Sequence, residues 1–172
     1  MVFAIMNRIP WVVFALALIF AIFFFANTVS SLPALVASHF DAGGFPTASM
    51  TRQFYGRFVF TMGVGFPIAM VALLTVIYSR AIDMKMPNRD YWLAPERIAQ
   101  TRSLLIAHGV WFGCLLIAMV CYVHWLELRA HLTMPPHLSN RLVGGGLFVF
   151  FLITGGWIIW MLRYFRRPRI IT

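Results

Sequence analysis

The charged residues of this chain avoid four long stretches. Its fourteen basic and five acidic side chains leave residues 9–26, 58–78, 104–126 and 142–162 without a single Asp, Glu, Lys or Arg. Each stretch is 18 to 23 residues long. A helix rises ~1.5 Å per residue, so each is able to cross a hydrocarbon core of roughly 30 Å. With 61% of its 172 residues apolar, the chain has little left over for a water-soluble domain. The expected fold is an all-α membrane protein. It forms one domain of four transmembrane helices, over about 9–32, 57–79, 103–126 and 142–162.

A formal net charge of +9 would suggest a nucleic-acid partner in a soluble protein, but the placement of the charge argues against one. Ten basic residues fall on one side of the expected spans: Arg8, Arg80, Lys85, Arg89, Arg97, Arg102, Arg163, Arg166, Arg167 and Arg169. Four fall on the other: Arg52, Arg57, Arg129 and Arg141. The positive-inside rule then puts both termini and the middle loop in the cytoplasm, in a bacterial inner membrane. The surplus charge reads as a topology signal and as contact with anionic lipid heads. Arg8 before an apolar run resembles the start of a signal peptide, yet the run is long and three more spans follow. An uncleaved anchor is the expectation.

Several local features bear on packing. Pro67, with Gly63 and Gly65, predicts a kink in the second span. Gly109 and Gly113 form a small-xxx-small pair that lets another helix approach, and Gly144, Gly145, Gly146, Gly155 and Gly156 suggest close contacts along the fourth span. Pro95 followed by Glu96 predicts the start of the third helix. In the first outer loop, residues 47–56 are expected as a short interfacial helix with Met50, Phe54 and Tyr55 on one face. That loop should be ordered and should bury Phe40. Cys114 and Cys121 sit seven residues apart on one helix, ~10.5 Å along its axis, too far for a disulfide within the chain.

Chemistry is sparse. The expected outer face collects His39, Asp41, His124, Glu127, His131 and His137, of which His39, Asp41, His131 and His137 are the candidate metal ligands. They come from separate segments and show no diagnostic spacing. His108 lies within the third span, where a neutral imidazole bonded to a neighbouring helix is the expectation. No other span carries a histidine, so bis-histidine haem ligation is not expected. No span contains a carboxylate, which removes the usual residues of an ion-coupled transporter. Phosphate loops, nucleophile elbows and paired intramembrane acids are missing too. No cofactor is expected.

Two connectors resemble a known family. The first runs Leu32-Pro33, Ser38-His39-Phe40, Gly43-Gly44-Phe45-Pro46. The second runs Met86-Pro87-Asn88-Arg89-Asp90-Tyr91-Trp92-Leu93-Ala94-Pro95-Glu96-Arg97. In order and spacing they are similar to segments of a bacterial membrane family of unknown function, whose domain also forms the N-terminal part of SdpI-type immunity proteins. On that resemblance Pro33, His39, Phe40, Gly44, Pro46, Pro87, Asn88, Tyr91, Trp92, Pro95, Glu96 and Arg97 are the motif positions. The chain departs from the pattern at Asp41, where Asn is common, and at Arg129-Ala130-His131. Immunity proteins of this type also continue beyond four spans. The resemblance implies a membrane domain with little biochemistry attached. The expected function is therefore that of a non-enzymatic inner-membrane protein acting through protein or lipid contacts, with the bilayer and a membrane or cytoplasmic protein as partners. The alternatives are a metal- or small-ligand-binding protein using the outer histidines, and an immunity or sensing protein for a membrane-active peptide.

Overall fold

The computed structural model is described for residues 8–80 and 86–166. Lys85, Arg167 and Arg169, three of the basic residues that set the expected topology, lie outside the described residues. In chain order the elements are α1 (Ile9–Thr28), strands β1 (Leu35–Phe40) and β2 (Pro46–Thr51), α2 (Arg52–Arg80), a short α3 (Arg89–Trp92), α4 (Ile98–Ala130) and α5 (Asn140–Arg166). Four of the helices are long and apolar enough to cross a membrane, as in a multi-pass membrane protein. α2, α4 and α5 run past the expected limits because a charge-free stretch marks only the hydrocarbon part of a span, whereas α1 stops at Thr28, short of the expected 32. Arg52, Arg57, Arg80 and Arg102 all sit inside helices, near their ends, where a long side chain reaches back to the polar interface.

α4 is the central post, and α1 and α2 both pack against it. Small residues set this geometry. A β-carbon on Gly113 would come within 2.6 Å of Val71 and 2.8 Å of Phe14, and one on Gly109 would lie 3.3 Å from Leu74. The core formed there joins Phe14, Ala21 and Phe25 of α1 to Val59 and Val71 of α2 and to Val110, Ile117 and Cys121 of α4. Just before Pro67, where a kink is expected, α2 carries a π-helical turn over Thr61–Gly65. Pro67 has no N–H to offer the carbonyl one turn back, and the widened turn lets the Phe66 N–H bond to Thr61 instead. Gly63 in that turn admits the Phe25 ring.

α5 is attached more lightly and buries only Phe165. Of its glycines, Gly146 alone meets another helix, seating the Tyr122 ring, whose hydroxyl donates to the Leu142 carbonyl at 2.7 Å. Gly144, Gly145, Gly155 and Gly156 face open space, which corrects the expectation of close contacts along this helix. Gly-rich sequence signals a smooth surface, but a partner must supply the contact.

The loop after α1 is a β-hairpin rather than an irregular cap, so the fold is not wholly α. β1 and β2 pair antiparallel, from Leu35 opposite Thr51 to Phe40 opposite Pro46, with irregular register around His39. The interfacial helix expected over 47–56 is replaced by β2, and helix begins only at Arg52. Thr51 explains the boundary, because its side chain caps the new helix by accepting from the Phe54 N–H. The hairpin does cover the bundle, but through Val36, which is fully buried, whereas Phe40 is half-buried. Val36 and Ala37 both turn inward, and the irregular register after Ala37 leaves His39 outside with Leu35. At the opposite end α4 starts at Ile98, not Pro95, because residues 93–97 form turns.

Candidate functional site

Polar chemistry inside the bundle concentrates where the ends of α1, α2 and α4 meet the hairpin. His124 of α4 has no exposed surface. Its Nδ1 lies 2.8 Å from the Tyr55 hydroxyl of α2, and its Nε2 lies 2.7 Å from Thr28 Oγ1 of α1. The Thr28 hydroxyl in turn donates to the Phe24 carbonyl at 2.6 Å. With its one proton used there, Thr28 must accept from His124, so Nε2 carries the imidazole proton and Nδ1 accepts from Tyr55. Every member of this relay is satisfied, and it crosses three helices. Phe24 and Phe25 close it off with edge-on contacts to the imidazole, while the Tyr55 ring stacks along it.

One helical turn further along α4, Glu127 is buried. Its Oε1 accepts no hydrogen bond among the described residues and lies 3.4 Å from His131 Nδ1. His131 uses Nδ1–H on the Glu127 carbonyl at 3.0 Å and takes the Ala37 N–H of β1 on Nε2 at 3.4 Å. It thus joins α4 to the hairpin.

The tip of the hairpin is fastened separately. Asp41 Oδ1 accepts from the Gly43 and Phe45 amides, a turn made by its own loop. Gly44 sits at φ +82°, and a β-carbon there would run into the Leu138 carbonyl oxygen. The Leu138 N–H donates to the Gly44 carbonyl, His137 Nε2 donates to Gly43, and Asn140 donates to Ala42. The start of α5 is therefore clamped to the turn. Arg52 holds the other side, giving Nη1 to the carbonyls of Ser30 and Leu32 at 3.0 and 2.8 Å.

The candidate metal ligands are distributed among these local jobs. His39 is exposed and pairs with Ser38, Asp41 makes the turn, His131 ties α4 to β1, and His137 bonds Gly43. Among the described residues, no three His, Cys, Asp or Glu side chains come together in a way that could hold a metal ion. Pro33, just before β1, and Pro46, which opens β2 after the turn, are both exposed. His108, as expected, is held by a neighbouring helix, accepting the Trp157 N–H on Nδ1 at 3.0 Å.

The second motif forms a clamp at the far end. After Pro87, Asn88 adopts the left-handed conformation, and its amide donates to the last carbonyls of α5, at Phe165 and Arg166. Trp92 adds its indole N–H to the Phe165 carbonyl and packs on Tyr164 and Phe165, and its own carbonyl accepts from Thr101 of α4. Arg97 lies 4.0 Å over the Tyr91 ring. Pro95 ends the segment. Glu96 makes no ion pair among the described residues.

Sequence reasoning named His124 and Glu127 among the polar residues of this end but not the relay. Tyr55 belongs to the segment expected as an interfacial helix and Thr28 to the end of the first span, and only their position at the ends of neighbouring spans hinted at a meeting with His124. Comparison with known proteins finds no family model that matches this chain, and no curated protein or solved structure that does.

Proposed function

We propose that this chain is a bacterial inner-membrane protein with both termini in the cytoplasm, which works without catalysis, through contacts with other proteins and with lipid. The observation that carries this reading is how the buried polar side chains at the hairpin end are spent. Tyr55, His124, Thr28 and His131 bond to one another and to main chain. A catalytic group has to reach a substrate; these groups instead brace a surface. The surface is the hairpin, whose β2 exposes all its residues except the half-buried Met50. Among the described residues β2 pairs on one side only. A fixed, free strand edge accepts an extended peptide by main-chain bonding.

That edge favours recognition of a membrane-active peptide as the form the contact takes, in keeping with the resemblance to the immunity-related family. The metal-binding alternative is less favoured, because His39, Asp41, His131 and His137 are each committed to a separate local bond. The test is a photo-crosslinking residue placed at Ser49 in living cells, with one at the exposed α5 position Phe151 as reference. The proposal expects a discrete protein or peptide adduct from Ser49 and lipid adducts alone from Phe151. Lipid adducts alone from both would contradict it.

A further inference from the structure

A groove of about 450 Å³ runs between the hairpin-side ends of α1 and α2. Its walls change character along their length in the same direction on both helices. At the end nearest the hairpin stand Ser30, in the turn that follows α1, and Arg52 and Gln53 of α2. One turn deeper Arg57 reaches the groove beside Gly56, and deeper still the lining is Phe25 and Phe60. From Arg52 to Phe60 the helix descends ~12 Å, a third or so of a bilayer's thickness with its headgroups.

The two arginines are not equivalent. Arg52 is fixed by its Nη1 bonds to Ser30 and Leu32, which leave its Nε and Nη2 donors available. The exposed Arg57 guanidinium has no partner among the described residues. Such donors at the border of the hydrocarbon suit a phosphate, which a guanidinium binds with matched geometry. Below them the floor is kept open by Ala26 and Gly56, where a β-carbon would already stand 3.1 Å from Val29. A polar mouth with cationic donors above an apolar trough has the polarity profile of one phospholipid. We propose that this groove holds a single anionic phospholipid, its phosphate against Arg52 and Arg57 and an acyl chain along Gly56 towards Phe60.

The inference specifies the lipid side of the function proposed above and needs only that α1 and α2 lie in a bilayer. It survives if Ser49 yields no protein adduct. The test is native mass spectrometry of the full chain, stripped in detergent and titrated with phosphatidylglycerol, phosphatidylcholine or inorganic phosphate. Wild type should retain one phosphatidylglycerol in preference to phosphatidylcholine, and phosphate should not displace it. Arg57→Gln should weaken that binding about tenfold, as the loss of a charge-assisted bond would. Ala26→Leu, which fills the trough without changing charge, should weaken it as well. Arg163→Gln, at the far end of the bundle, should bind as wild type does. Unchanged binding by both groove variants would overturn the proposal, as would equal weakening by Arg163→Gln. Displacement by inorganic phosphate would show a free-anion site and overturn the lipid assignment.

Discussion

The indole N–H of Trp92 donates to the main-chain carbonyl of Phe165 at 2.8 Å, fastening the segment before α4 to the last full turn of α5. Phe165 is also the one residue of α5 that is buried, the helix's other contacts with α4 being partial ones such as those of Gly146 and Trp157. The clamp therefore carries much of the attachment of a whole span. Trp92→Ala removes both the bond and the ring packed on Tyr164 and Phe165, at a cost of about 3 kcal/mol. Glu96→Gln should have almost no effect, since Glu96 has no ion-pair partner among the described residues. Thermal unfolding of the detergent-purified protein should show a clear drop for the first variant and none for the second. Equal effects would contradict the clamp.

Glycines in this chain divide by what faces them. Gly113→Ala would push a methyl into Val71 and Phe14 at the α4 crossing, where these packed side chains leave little room. Gly155→Ala meets nothing within 4 Å and exchanges a flexible residue for a better helix former. The first substitution should destabilise by roughly 1–3 kcal/mol and the second should be neutral or slightly stabilising. Unfolding midpoints of the two variants, compared in one detergent, decide the matter.

Gly44 is held to glycine twice over, by its φ of +82° and by the Leu138 carbonyl against it. Gly44→Ala should cost about 1–3 kcal/mol and loosen the turn from His137 and Asn140. Faster proteolysis between residues 40 and 46 would report the release; unchanged cleavage would show that the turn is not held from α5.

The spans were legible because charge is excluded from hydrocarbon whatever the packing, so their positions needed no tertiary information. The clamp was legible in part: Pro87 and Pro95 bracket a short segment that cannot form a core of its own, yet carries a Trp. The hairpin was not. β2 reads Pro-Thr-Ala-Ser-Met-Thr, with no apolar alternation, and is a strand through its pairing with β1, where the buried Val36 stands opposite Met50. The relay was hidden for another reason. Tyr55 and His124 are 69 residues apart, and Thr28 and His124 are 96 apart, so no local spacing could have joined them. The open glycines of α5 mark the same limit, since composition cannot say which face of a helix has a neighbour.

The proposed topology rests on ten basic residues against four. A reporter that works only in the periplasm, fused after Thr172, should stay silent, while the same reporter inserted at the hairpin turn should be active. Activity from the C-terminal fusion would reverse the assignment of both ends.

The account depends most on the hairpin being a fixed surface, held from within by the Tyr55–His124–Thr28 relay. Tyr55→Phe takes away the hydroxyl that satisfies His124 Nδ1 and leaves a buried acceptor unpaired, a loss of about 1–3 kcal/mol. Amide hydrogen exchange over residues 35–51, followed in detergent or nanodiscs, measures the consequence directly. Wild-type hairpin amides should exchange slowly, and in Tyr55→Phe they should exchange at least about tenfold faster while α4 stays protected. Rapid exchange of the hairpin already in the wild type, or protection unchanged in the variant, would contradict the account.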